Sequence, residues 1–213
     1  MTTQQKKRIA DIYTQYHNVV KPMVISLEID DVEYPVEILN EVRAIMNHMA
    51  KCVMIEQNSE LGSSNDIDDN IHDAERHLKR AIFDCYKYAC ISAEDYYERF
   101  CRRMKHVDLG IVDNGEFSLE LSKLYTRAKN MLKKAKCKEN EIAKHSDSAE
   151  VFNLFQDAFV AYSEMRDHID SSMERTERVR HKQAIYWWIS TGLALFGGIG
   201  TIFTLLSYFG IVL

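Results

Sequence analysis

The chain has 213 residues, with 27 basic and 32 acidic side chains, a net charge of −5, 46% hydrophobic residues, five cysteines and two prolines. That length fits one domain, at most two; the hydrophobic content is too high for a disordered chain, the charge too high for a polytopic membrane protein, and the cysteines too few for a disulfide scaffold. Every charged side chain lies before residue 185, and the 29 residues 185–213 carry none.

Before that run the only glycines are Gly62, Gly110 and Gly115, and the prolines are Pro22 and Pro35. So few breakers predict long helices. A first helix is expected from about residue 4 to 21; beyond Pro22, Val24, Ile25, Leu27 and Ile29 suit either more helix or extended chain. A turn over residues 30–35 closes it. In the second helix Val36, Leu39, Val42, Met46, Met49 and Val53 recur at i+3/i+4 and read as its buried face. A loop rich in Ser, Asn, Asp and Gly follows over residues 58–69. The third helix is expected from about 69 to 106, capped by Asp69, with Ile71, Ala74, Leu78, Ala81, Cys85 and Ala89 on one side.

After residues 108–115, a fourth helix is expected from about 118 to 144, with Leu121, Leu124, Ala128, Met131 and Ala135 inward. Lys129, Lys133, Lys134, Lys136 and Lys138 make its end basic, which suits a helix C-terminus. The fifth starts near Ser148 and carries two apolar rows, Phe152, Phe155, Phe159 and Tyr162 beside Val151, Leu154, Ala158, Ala161 and Met165. Residues 167–180 turn polar without Gly or Pro, so this helix is expected to continue as a stalk. The fold class expected is all-α: a four- or five-helix cytoplasmic bundle over residues 1–166, a polar helical stalk over 167–184 and one C-terminal transmembrane helix over 185–213.

As a helix, 29 residues run about 43 Å, more than the roughly 30 Å hydrocarbon thickness of a bilayer. Tyr186, Trp187 and Trp188 sit where an interfacial aromatic belt belongs, and Arg178, Arg180 and Lys182 just before them place the N-terminal side in the cytoplasm. The start MTTQQKKRI has no apolar stretch for a signal peptide, so a single-pass tail anchor in the membrane is expected. Ser190, Ala194 and Gly198 repeat every four residues, and Gly197 precedes Thr201 by four. Small faces of this kind let membrane helices pack closely, which predicts a homo-oligomer, although small residues are also simply common in membrane helices.

Known chemistry is sparse. Cys85 and Cys90 have four residues between them, not the two of zinc knuckles, and Cys85 sits in an apolar stripe. Within the acidic and His cluster Asp66, Asp68, Asp69, His72, Asp73, Glu75 and His77, His72 and His77 point about 140° apart on a helix, so no metal is expected. Isolated glycines exclude a phosphate loop, a nucleophile elbow or a dinucleotide fingerprint, and no cofactor is expected. The acidic balance and the lack of a motif argue against DNA as a partner.

In EILNEVRAIMNHMAKC, Arg43 and His48 have four residues between them. This resembles the R-x4-6-H signature of the HEPN superfamily, all-helical domains that often dimerise. The resemblance implies a metal-independent ribonuclease in which His48 moves a proton and Arg43 stabilises phosphate charge, with Glu41 and Asn47 nearby and RNA as partner. The alternative is that Arg43 flanks the core and His48 faces solvent. The whole layout is similar to small membrane effectors of prokaryotic antiviral systems, whose cytoplasmic helical sensor controls a membrane segment that perturbs the bilayer. That similarity implies a non-enzymatic effector acting on the lipid bilayer. A scaffold that brings a soluble protein partner to the membrane is the third reading.

Overall fold

The computed structural model describes residues 1–30, 35–141 and 149–208, without the side chains of 59, 199, 200 and 202–207. All regular structure among these residues is helical. Residues 31–34 of the expected turn, residues 142–144 of the fourth helix and Ser148 lie outside them. The chain divides into two compact units, one of Met1–Glu98 with Leu124–Arg166, the other of Arg99–Lys123 with Asp167–Leu213.

In the first unit, α1 (Thr3–Gln15) opens on a capping box: the Thr2 hydroxyl accepts from Gln5 N–H while the Gln5 side chain accepts from Thr2 N–H. Helix continues through a π turn, Tyr16–Val20, into α2 (Lys21–Ile29). The wide turn has a local cause. Pro22 lacks an N–H, and its ring would clash with the carbonyl one turn back, so the chain widens just before it, Lys21 N–H reaching the Tyr16 carbonyl. This resolves the open reading of residues 23–29 in favour of helix.

Helix α3 (Val36–Gln57) departs from the expected phase. Its buried residues are Ile38, Ile45, Met49 and Cys52, with Val42 half-buried, whereas Val36, Leu39, Met46 and Val53 are exposed. At 100° per residue the buried seam lies about 80° round from the stripe read off the sequence. The helix is apolar on a broad front, and among the described residues the bundle covers one side of it.

Helix α4 (Ser64–Arg103) begins five residues before the expected start. Ser63, not Asp69, supplies its cap: the Ser63 hydroxyl accepts from Asp66 N–H, and the Asp66 carboxylate accepts from Ser63 N–H at 2.7 Å. Asp69 is exposed inside the helix. The expected inward residues Ile71, Ala74, Leu78, Ala81 and Cys85 are all buried, and Ala89 is half-buried.

Within this unit α4 touches every neighbour. Cys52 with the Ile67 carbonyl, His48 with Asn70 and Glu41 with His77 run α3 antiparallel to it. Gln5 with Asp68, Arg8 with Glu75 and Asp30 with Ser92 run α1 and α2 parallel. Lys87 with Glu139 and Tyr97 stacked on Tyr125 place α5 (Glu116–Glu141) antiparallel. Phe83 edge-on to Phe155, and Tyr86 against Phe152 and Phe159, place the start of α6 (Ala149–Tyr208) alongside. Asp30 joins α2 to α6, accepting two bonds from Arg166 at 2.5 and 2.6 Å and one from Ser92 at 2.7 Å.

The second unit has its own core of Phe100, Met104, Val112, Phe117, Leu121 and Ile169. Its turn holds Asp113, Asn114 and Gly115 at positive φ, residue types that tolerate the left-handed region. The polar stretch expected as a stalk buries Ile169, Ser172 and Thr176 in this unit, and Arg103 pairs with Glu177 at 2.7 Å. Among the described residues no helix is long and apolar enough to cross a membrane. The transmembrane helix expected over 185–213 therefore has no counterpart there; residues 209–213 of that run lie outside the described residues.

Candidate functional site

The α3–α4 seam brings together groups that the sequence keeps far apart. The His48 and His77 rings stack with centroids 5.4 Å apart and planes 25° apart. His77 Nδ1 lies 2.5 Å from Glu41 Oε2, both side chains being about one-fifth exposed. His48 Nδ1 lies 2.9 Å from Asn70 Oδ1.

These contacts fix the tautomers. Asn70 Nδ2 donates to the Asp66 carbonyl at 2.7 Å, which turns Oδ1 toward His48. A carbonyl oxygen only accepts, so His48 Nδ1 is the donor and the neutral ring presents Nε2 as a base. The Glu41 carboxylate fixes His77 in the same sense. The seam thus offers two parallel imidazoles, each oriented by a hydrogen bond on one nitrogen. Such a pair can accept and return a proton. Among the described residues no group of three or more His, Cys, Asp or Glu is placed to hold a metal ion.

Arg43 does not join the pair. It is exposed, on the outer stripe with Val36, Leu39, Met46 and Val53, and among the described residues no ion pair or hydrogen bond holds it. Its five-residue offset from His48 gives the divergence of about 140° that a regular helix dictates. Asn47 is exposed as well, while Glu41 is a direct partner of His77. The sequence singled out His48 but missed its link to His77 and Asn70. The available signal was an antiparallel helix pair closed by the loop at 58–63, which places positions of constant index sum side by side.

Two burial effects mark the neighbouring chemistry. Burial pushes the Asp84 carboxyl up to about 6, with Lys87 pulling down and Glu41, Glu37 and Glu139 adding to the rise. Burial also pushes the Cys85 and Cys90 thiols up to about 12, so neither is a nucleophile at neutral pH.

The expected membrane residues lie along α6. Tyr186, Trp187 and Trp188 are 70%, 59% and 69% exposed, the two indoles meeting edge-on. Arg178 pairs with Glu174 and Arg180 with Glu177, a carboxylate that Arg103 shares, while Lys182 is exposed. Ser190, Ala194, Gly197, Gly198 and Thr201 are exposed or open: nothing lies within 4 Å of a side chain built at Gly197 or Gly198. The Ser190 and Thr201 hydroxyls donate back to the Trp187 and Gly197 carbonyls, so neither leaves an idle donor on the surface. Compared with protein-family models, curated proteins and solved structures, the chain matches none.

Proposed function

We propose that the chain is a membrane-attached helical effector or sensor, held to the bilayer from its cytoplasmic side through residues 185–213 and self-associating through Ser190, Ala194, Gly197, Gly198 and Thr201. One observation carries this reading. Between residues 185 and 196, Ile185, Tyr186, Trp187, Trp188, Ile189, Leu193, Leu195 and Phe196 are all exposed, by 45 to 78%. Removing a large apolar side chain from water is worth about 1.5–3 kcal/mol, and a helix surface apolar all round suits lipid. The two tryptophans and Lys182 stand at the end where an interface would lie. Assembly that perturbs the bilayer, as in antiviral effectors, is the function this layout supports best.

Vesicle flotation combined with dye release tests the reading. The full chain should float with anionic liposomes and release dye, and a chain ending at Lys182 should do neither. Ala194→Leu with Gly198→Leu should float yet release less dye. A full chain that stays in the aqueous fraction refutes attachment; flotation with sealed vesicles leaves an anchor that recruits a soluble protein partner.

A second reading, a HEPN-like ribonuclease, is favoured by the oriented His48 imidazole. Arg43 faces away from His48, so this reading takes its Arg from a second copy. His48→Ala should then abolish RNA cleavage while the helical circular-dichroism signal stays intact; an unchanged helical signal with no cleavage by the parent chain would end it.

A further inference from the structure

A cavity of about 390 Å³ opens in the first unit between α4, the first turns of α6 and the end of α1. Its volume lies at the lower end of the range for small-molecule sites, about 300–1,000 Å³. One wall is cationic. Arg76, Lys79 and Arg80 stand at i, i+3 and i+4 on α4, a spacing at which like charges repel. Among the described residues neither Lys79 nor Arg80 has an ion pair, and Arg76 shares only Asp73, at 3.0 Å, while its Nε is enclosed without a partner.

Glu75, the acid among the lining residues, is already spent on Arg8, which binds both carboxylate oxygens at 2.8 Å and holds the carboxyl below its usual range. The wall therefore keeps a positive surplus inside a chain of net charge −5. Next to the cations the lining is aromatic, with Phe83 one turn further along α4 and Phe152 on α6. Phe83 is fixed edge-on by Phe155 and Phe152 by Tyr86, so two partly exposed rings face the cavity in set orientations, with the exposed amide of Asn153 beside them.

We infer that this cavity binds a small phosphorylated compound carrying one planar ring, of mononucleotide size, its phosphate on Arg76, Lys79 and Arg80 and its ring on Phe83 and Phe152. The cationic and the aromatic parts of the lining each select one half of such a molecule. Guanidinium and ammonium donors match phosphate oxygens, Arg in a bidentate fork. Aromatic faces take a planar base by stacking. The charge surplus, unfavourable in the empty chain, becomes favourable once an anion enters. The inference stands apart from membrane attachment, since all lining residues belong to the first unit.

The test is isothermal titration of the full chain in detergent micelles with adenosine 5′-monophosphate, adenosine and inorganic phosphate. The monophosphate should bind saturably and more weakly as salt rises. Adenosine and phosphate should each bind at least about tenfold more weakly, because each engages one part of the lining only. Lys79→Gln with Arg80→Gln should weaken the monophosphate about tenfold or more, and Asn153→Trp, which fills the cavity, should abolish binding. Among the described residues the side chains altered in both variants have no hydrogen bond or ion pair to lose, and circular dichroism verifies their fold. No saturable binding of the monophosphate up to millimolar concentration, phosphate binding as tightly as the monophosphate, or unchanged affinity in both variants would each overturn the site.

Discussion

One helix, α6, contains two stretches built on opposite rules. Between Val151 and Met165 it buries Val151, Phe155, Ala158, Ala161, Tyr162 and Met165 and leaves Gln156, Asp157 and Glu164 exposed. Between Ile185 and Phe196 it has no charge to expose, and its largest side chains lie outward. Backbone geometry is the same in both, so helix propensity does not separate them. What differs is the partner: the first stretch meets α4 and α5, whereas the second leaves its large apolar side chains exposed, which is the surface that the proposed attachment would bury in lipid.

The strongest way to break that contrast is to give the second stretch charges. Leu193→Lys with Phe196→Lys should abolish liposome flotation, each lysine costing about 2.5–3.5 kcal/mol at the centre of a membrane helix. Unfolding of the first unit should be unchanged. If the doubly charged chain still floats, attachment depends on some other surface.

The next largest effect lies where the first stretch ends. Asp30 accepts from Arg166 and Ser92, its side chain is 6% exposed, and Arg166 also lies 4.7 Å over the Tyr96 ring. Asp30→Ala removes the carboxylate that accepts two bonds from Arg166 and one from Ser92 and should cost about 3 kcal/mol in urea unfolding, while Asp30→Asn should cost less because it keeps an acceptor. A smaller effect sharpens the comparison with a single kind of change. Ala158 is fully buried and Ala194 is exposed. Ala158→Leu should overpack the core and lower stability by about 1–3 kcal/mol; Ala194→Leu should leave the unfolding of the body unchanged. Equal effects would mean that the two stretches are not distinct.

Legibility in the sequence followed the same contrast. The α4 seam could be read because Ile71, Ala74, Leu78, Ala81 and Cys85 alternate with charged residues, which leaves one phase for the buried face. In α3 the apolar residues cover a wide arc, so periodicity identified the helix but not the half that packs; Ile38, Ile45 and Cys52 took the seam and Leu39, Met46 and Val53 stayed outside. The π turn before Pro22 was hidden because a proline signals a break more readily than a widened turn. His48 was visible as a motif residue, but its stacking on His77 depends on the register of two helices and leaves no local trace.

The smallest expected effect concerns a charge that the body holds at its own seam. Asp84 is half-buried on α4, and burial raises its carboxyl to about 6 from the ordinary 3.8, with the attraction of Lys87 only partly offsetting it. A raised carboxyl means that the folded chain keeps a proton that the unfolded chain releases between about pH 4 and pH 6. Asp84 therefore contributes most to stability below that window, less as pH rises through it, and nothing further above about pH 6. Asp84→Asn removes the ionisation while keeping the shape. Relative to the parent, it should flatten the fall in urea midpoint across this window and raise stability at pH 7 by about 1 kcal/mol, discounted for partial solvent exposure. Carboxylates held low by partners, such as Glu75 against Arg8, impose the opposite slope at lower pH in both chains and cancel in the difference. A variant less stable than the parent at pH 7 would show that the ionised Asp84 is stabilised by Lys87 by more than burial penalises it, reversing the sign of the whole effect.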